Sequence, residues 1–100
     1  MHTRENICQA IASRSVITFM YRGRIRIVEP FTFGIHKDTG NLVLSAFWIG
    51  GYSESHKSPQ WRLYTFKDMY NIQITEKSAA AHRLGYNSYD SRMITIYCAA

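Results

Sequence analysis

The chain has 100 residues, of which 46% are apolar, 19% charged and 14% aromatic, and its 12 basic and 7 acidic side chains give a net charge of +5. This length fits a single domain over residues 1–100, and the composition excludes a disordered tail or a coiled coil. The longest nearly unbroken apolar run, residues 42–49, is far shorter than the ~20 residues of a membrane-spanning helix, and the first residues lead into no secretory signal. We therefore expect a cytoplasmic protein with no membrane partner.

The chain opens with a short predicted helix. Ile7, Ala10 and Ile11 are spaced three and four residues apart and form one apolar stripe, while Thr3 is placed to cap the first turn. Residues 13–15 end the pattern. A stripe of this size does not stabilise an isolated helix, so we expect the helix to pack against the rest of the domain.

The next two segments predict a hairpin. Residues 16–21 are rich in β-branched and aromatic side chains, and Arg22-Gly23 offers a tight turn. Residues 24–29 then alternate charged and apolar side chains, as a half-buried strand does. Because side chains two apart share a face, we expect Arg24 and Arg26 to point outward together and the two isoleucines, Ile25 and Ile27, to point inward.

Further strands follow with short connections. They are predicted at residues 31–33 beyond a bend at Pro30, at 42–49, at 60–66, at 71–75 and at 93–98. The most apolar of them, residues 42–49, is expected to be central. Residues 37–41 predict a polar turn around Gly40, residues 50–59 a polar loop, and residues 67–69 and 78–83 single helical turns. One short helix with five or six strands predicts a mainly β domain, folded as a small, strongly bent antiparallel sheet or barrel.

The cysteines and histidines carry little chemistry of their own. Two cysteines, Cys8 and Cys98, are too few for a structural zinc site, and a cytoplasmic protein favours two buried or partly buried thiols. If the two ends of the chain meet in space, a disulfide is the alternative. No histidine stands four residues from a second ligand on a predicted helix, and Gly50-Gly51 is not followed by a phosphate-loop pattern, so we expect no metal and no cofactor.

The order of several short motifs resembles the bacterial WYL domain. The matching stretches are Ala10-Ile11 at the end of the helix, residues 17–21, residues 26–30 (Arg-Ile-Val-Glu-Pro), residues 42–46, residues 62–69 and residues 72–74. Residues 42–46 occupy the place of the family's name tripeptide but keep only Leu44 of it, and Thr65 and Asp68 stand where arginines are often found. The resemblance extends over most of the chain.

This resemblance implies both a fold and a function. WYL domains look like small Sm/SH3-like barrels of about five strands with an N-terminal helix. They usually follow a DNA-binding helix-turn-helix in transcription regulators, where they are proposed to sense a ligand, in some cases nucleic acid. The present chain would be a stand-alone WYL-like module, or one taken from a longer protein.

The candidate ligand-binding residues are Arg26, Arg62, Arg24 and Tyr64. The family's corresponding arginines line one surface patch, and a guanidinium holds phosphate oxygens in a two-pronged fork that a lysine cannot form. Tyr64 shares a face with Arg62 and could stack a base. The net charge of +5 fits a polyanionic partner, although it also fits a simple role in solubility.

Each candidate has an ordinary structural alternative. Arg26 could instead pair with Glu29, and Glu29 is better explained by a structural ion pair than by acid catalysis. The two tryptophans, Trp48 and Trp61, could form a stacking platform but are more often core residues. No nucleophile–base pair is visible, so we expect no enzyme. The leading hypothesis is a non-enzymatic module for single-stranded nucleic acid or a small anionic ligand, and the alternative is a protein-interaction or self-associating module.

Overall fold

The fold is taken from a computed structural model, which describes residues 4–51, 60–79 and 91–100. It is mainly β with one short helix, as the sequence predicts. The elements are α1 (Arg4–Ala12), β1 (Ser15–Tyr21), β2 (Arg24–His36), β3 (Leu42–Gly51), β4 (Gln60–Thr65), a single 3-10 turn (Phe66–Asp68), β5 (Met69–Ser78) and β6 (Met93–Ala99).

The strands form one antiparallel sheet that is not closed. Its order is β4-β3-β2-β1-β5, and β6 also pairs with β2. β2 is 13 residues long, so its first part pairs with β1 and its last part with β6, while β3 runs along most of its other edge. β3, the strand expected to be central, has a strand on each side. β2 lies in the middle of the strand order, and it alone is long enough to pair with three neighbours.

The turn between β1 and β2 decides which face each side chain takes. Arg22 and Gly23 both have positive φ, 54° and 76°, as a two-residue type I′ turn requires, so the predicted tight turn is confirmed. The turn sets Tyr21 opposite Arg24 and Phe19 opposite Arg26. Arg24 and Arg26 therefore do share a face, but it is the face that carries Phe19.

That face is the inner one, and the predicted orientation of the β2 alternation is wrong. The inner face of the sheet is defined here as the face that carries the fully buried Ile17, Phe19, Val28 and Leu44. Ile25 was expected to be buried but is 49% exposed, and Ile27 is half-buried. Arg26 was expected to face outward but is only 6% exposed. The reversal follows from the turn, because a shift of one residue in register would exchange the two faces.

The sheet bends strongly along β2. The β2–β3 register shifts between Pro30 and Thr32, so the bend predicted at Pro30 is a bulge within one long strand. Beyond it, Gly34 lies against the backbone of Thr95 in β6, where a Cβ would collide with the Thr95 carbonyl oxygen. This close approach is open only to glycine.

The helix packs as predicted. Ile7, Ala10 and Ile11 are all buried, and α1 contacts β1, β2 and β6. It ends where Arg14 takes a positive φ of 53°. The predicted Thr3 cap lies outside the described residues.

A disulfide joins Cys8 of α1 to Cys98 of β6, with the two Cα atoms 5.6 Å apart. The sequence favoured two thiols, and the structure has the alternative. The reason is topological: β6 pairs with β2, and α1 packs on both strands, so the two ends of the chain are brought together.

The connections agree with the sequence wherever the structure describes them. Residues 37–39 form a turn before Gly40, which has φ 72°, and the helical turn predicted at residues 67–69 is the 3-10 turn at Phe66–Asp68. The loop at residues 50–59 and the helical turn at residues 78–83 lie largely outside the described residues, although Ser78 itself ends β5. Across the described ranges no helix combines the length and the apolar character needed to cross a bilayer.

Candidate anion-binding site

Arg26 lies on the inner face beside Tyr21. Its guanidinium Nη2 donates a hydrogen bond of 3.2 Å to the Tyr21 carbonyl oxygen, and its Cζ lies 5.5 Å from the centre of the Tyr21 ring. The ring quadrupole and the carbonyl together stabilise a cation that burial would otherwise disfavour. Arg26 is thus a buried cation held by Tyr21, and not a solvated surface residue.

Arg62 and Tyr64 reach the same face from β4. Arg62 is opposite Ala46 and Tyr64 is opposite Leu44, and both partners are fully buried residues of the inner face. Tyr64 is 3% exposed and Arg62 is half-buried. The predicted sharing of one face by Arg62 and Tyr64 is therefore confirmed.

Tyr64 packs against two other aromatic rings. Its ring meets those of Phe19 and Tyr21 edge to face, with centroid distances of 4.9 and 5.0 Å. These three rings come from β1 and β4, which are not neighbours in the sheet order. The bending of the sheet is what brings β4 over β1, and it places Arg62 on the same side as Arg26.

The charges of both arginines act on the Tyr64 hydroxyl. Burial raises the pKa of Tyr64 to about 12, while the positive charges of Arg26 and Arg62 both act in the opposite direction. All three side chains lie on the inner face, and Arg26 also interacts with the hydroxyl directly through its side chain. Since burial prevails, Tyr64 remains a neutral hydrogen-bond donor at physiological pH.

The Tyr64 hydroxyl oxygen and the Trp48 indole Nε1 are both buried. Neither makes a well-aligned hydrogen bond within the described residues, although the Arg26 side chain interacts with the hydroxyl. Trp48 is opposite Val28, two positions from Arg26 on the inner face, and is 9% exposed. A buried donor without a hydrogen bond costs roughly 1–3 kcal/mol.

We call the three residues Arg26, Arg62 and Tyr64 the donor cluster. The structure brings together three of the four predicted site residues; the fourth, Arg24, is exposed at the hairpin end opposite Tyr21. Trp48 was predicted to be a core residue, and it is buried as expected.

The remaining candidates lie on the opposite face of the sheet. Glu29 is buried, but the register places it across from Phe47 and on the other side of β2 from Arg26. The predicted alternative, an Arg26–Glu29 ion pair, is not favoured by this placement. Trp61 meets the rings of Phe31 and Phe47 at 5.0 and 5.4 Å, as a packing residue does.

Comparison with known proteins adds no relative. No family model matches the chain, and neither a curated protein nor a solved structure does. The likeness to WYL domains therefore rests on the motifs in the sequence alone.

Proposed function

We propose that this protein is a non-enzymatic, WYL-like ligand-binding module whose donor cluster takes single-stranded nucleic acid or a nucleotide-like anion. The observation that carries the proposal is that Arg26 and Arg62, from separate strands, lie on the same inner face as Tyr64, and that both positive charges lower the pKa of Tyr64. A pair of guanidinium groups on one face suits phosphate oxygens, and an overall charge of +5 attracts polyanions. Arg24, exposed on the same face at the hairpin end, adds a further positive charge.

We also propose that the open sheet belongs to the Sm/SH3-like class of small barrels. The strand order β4-β3-β2-β1-β5 and the 3-10 turn between β4 and β5 support this assignment. So does the approach of β4 to β1 through the three aromatic rings.

The direct test of the function is a titration of labelled single-stranded oligonucleotides at two salt concentrations. Phosphate contacts require the affinity to fall as salt rises. We expect Arg62→Ala to weaken binding strongly, and Arg26→Lys to weaken it while keeping the charge, since lysine lacks the fork. Arg4→Ala removes the same charge at a side chain that lies over the Tyr97 ring of β6, and serves as the control. Absence of binding to the wild-type protein at low salt would refute the proposal.

A cytoplasmic location is part of this proposal, as a regulatory module would require. The Cys8–Cys98 disulfide weighs against it, because cytoplasmic thiols are kept reduced. Alkylating the thiols in intact cells before lysis decides the matter. Two alkylated cysteines support the cytoplasm, whereas unmodified cysteines point to an oxidising compartment.

Self-association is the second candidate function, and exposed apolar side chains favour it. Tyr70 and Ile74 on β5 are 62% and 40% exposed, and among the described residues only β1 pairs with this strand. An unpaired edge with apolar side chains is a common route to β-sheet pairing between chains. Light scattering across a range of protein concentrations tests it, and a strict monomer would exclude it.

A further inference from the structure

We propose that the cleft between the start of β3 and the 3-10 turn is a binding site for a small aromatic carboxylate. Two short segments of the chain line this cleft, residues 40–42 and residues 65–67, and the cavity between them has a volume of about 240 Å³. The proposed function uses none of these residues, so the site is additional to the donor cluster and does not depend on it.

The cleft exists because two paired strands part at one point. β3 and β4 pair as far as Val43 and Thr65. Directly after this last pair, β4 ends and the chain enters the 3-10 turn at Phe66, whereas β3 begins one residue before Val43, at Leu42, preceded by residues 40–41. The two segments therefore diverge and leave a space between them.

Both walls of the cleft are held by the rest of the fold. On one side, the Gly40 N–H donates to the His36 carbonyl oxygen and the His36 N–H donates to the Asn41 carbonyl oxygen, both at 2.9 Å. On the other side, the ring of Phe66 meets the ring of the fully buried Phe33 at 5.4 Å. Since the cavity is formed before a ligand arrives, binding requires little ordering of the protein.

The volume sets the size of the ligand. An apolar cavity of roughly 150 Å³ accommodates one benzene molecule. At about 240 Å³, the cleft has space for one ring with a substituent, or for two fused rings. It is smaller than the range of about 300–1,000 Å³ that is typical of sites for larger ligands.

The residues of the walls set the chemistry of the ligand. Leu42 and Phe66 are apolar and pack partly against the core, and an aromatic ring can lie against Phe66 edge to face or offset. Lys67 is exposed and is the one charged residue among the six that line the cavity, which suits a single negative charge. Asn41 and Thr65 add side-chain groups that can donate hydrogen bonds to a carboxylate.

A titration of the isotope-labelled wild-type protein with benzoate tests the proposal by NMR. The backbone amide resonances of Leu42, Phe66 and Lys67 should shift and saturate, with the millimolar or tighter affinity expected for a ligand of about ten non-hydrogen atoms. The amide of Gly23, at the opposite end of β2 from the cleft, should not shift. At saturation we expect nuclear Overhauser effects between the benzoate ring and the Leu42 methyl groups. Their absence would overturn the proposal.

Two comparison ligands separate the ring from the charge. Benzamide has the same ring without the negative charge, and acetate has the charge without the ring. We expect each to bind at least about threefold more weakly than benzoate, because each lacks one of the two complementary features. If benzamide binds as tightly as benzoate, the cleft does not recognise an anion, and if acetate does, it does not recognise a ring.

Variants at the exposed Lys67 assign the charge without disturbing the core. Lys67→Met should weaken benzoate binding about three- to fivefold, as expected for an exposed ion pair, and Lys67→Arg should retain it. Lys77→Met, at the far end of β5 from the 3-10 turn, removes the same charge and serves as the control. Equal losses in Lys67→Met and Lys77→Met would contradict the site. If Arg62→Ala abolishes binding while Lys67→Met does not weaken it, benzoate binds the donor cluster instead and the proposal fails.

Discussion

The hydroxyl of Tyr21, at the end of β1, accepts a hydrogen bond of 3.1 Å from the backbone N–H of Thr65, at the end of β4. The two residues are 44 positions apart, and their strands are not neighbours in the sheet. This bond therefore fixes the curvature that brings β4 over β1. The same curvature places Arg62 and Tyr64 beside Arg26, so the candidate site depends on it.

Removing the Tyr21 hydroxyl tests this connection. Tyr21→Phe keeps the ring packing against Tyr64 but leaves the Thr65 N–H without its acceptor, so we expect a loss of about 1 kcal/mol in the free energy of unfolding. Urea denaturation measures it. The control is Tyr97→Phe, at a side chain that is 46% exposed, where we expect a change within about 0.5 kcal/mol. Equal effects of the two substitutions would contradict a structural role for the bond.

Tyr64 should make stability depend on pH in the alkaline range. Its pKa is raised from 10.0 to about 12 by burial, so the unfolded chain loses this proton before the folded protein does. The contribution of the neutral side chain is thus fully present below pH 10.0 and is lost as pH rises toward about 12, by roughly 2–3 kcal/mol in total.

Tyr64→Phe should remove this alkaline loss. Below that range the variant should lose no more than about 1 kcal/mol, because the interaction deleted is that of the hydroxyl with the Arg26 side chain. Urea denaturation at neutral and alkaline pH measures both effects, and Tyr70→Phe, at an exposed ring, is the control that should keep the dependence. A loss of several kcal/mol at neutral pH would contradict this expectation.

The disulfide should contribute substantially to stability. It joins residues 90 positions apart, and closing a loop of this length lowers the entropy of the unfolded chain by an amount equivalent to about 4–5 kcal/mol. The double variant Cys8→Ala/Cys98→Ala should lose most of this in thermal or urea unfolding, and adding a reductant to the wild type should have a similar effect. A reductant without influence on the wild-type midpoint would disagree with this expectation.

The contact between β2 and β6 should not tolerate a side chain at Gly34. A Cβ there would collide with the Thr95 carbonyl oxygen, so Gly34→Ala must force the two strands apart, at a cost of typically 1–3 kcal/mol. Gly50→Ala provides the matched control, since its Cβ would lie 3.5 Å from Ile27 Cδ1, an ordinary contact. Comparable stabilities of the two variants would rule out the close approach.

The reversed faces of β2 can be tested by making one substitution at two positions. Ile25→Thr, at a half-exposed side chain, should change stability by no more than about 0.5 kcal/mol. Ile17→Thr, at a fully buried side chain on β1, should cost ~2 kcal/mol or more because it introduces a hydroxyl into the core. If Ile25→Thr were the more damaging, the register of the hairpin would be the one first expected from the sequence.

Much of the fold follows from local patterns in the sequence. The apolar stripe of α1, the strand at residues 16–21, the turn at Arg22-Gly23 and the turn before Gly40 all agree with the structure. Each of these elements depends on residues close together in the chain. Their spacing and backbone preferences determine the local structure regardless of where the segment lies in the fold. The sequence by itself also placed Arg62 and Tyr64 on one face, since that requires only the alternation of a single strand.

The tertiary structure alone decided which faces are buried and which residues meet. Alternation shows that the two sides of β2 differ, but not that the side with Arg26 turns inward, because an arginine can be buried where a carbonyl oxygen and an aromatic ring receive it. Those groups belong to Tyr21, and only the register of the hairpin places Tyr21 beside Arg26. The approach of Arg62, the unsatisfied indole of Trp48 and the Cys8–Cys98 bond likewise arise from contacts between distant segments, which no local pattern specifies.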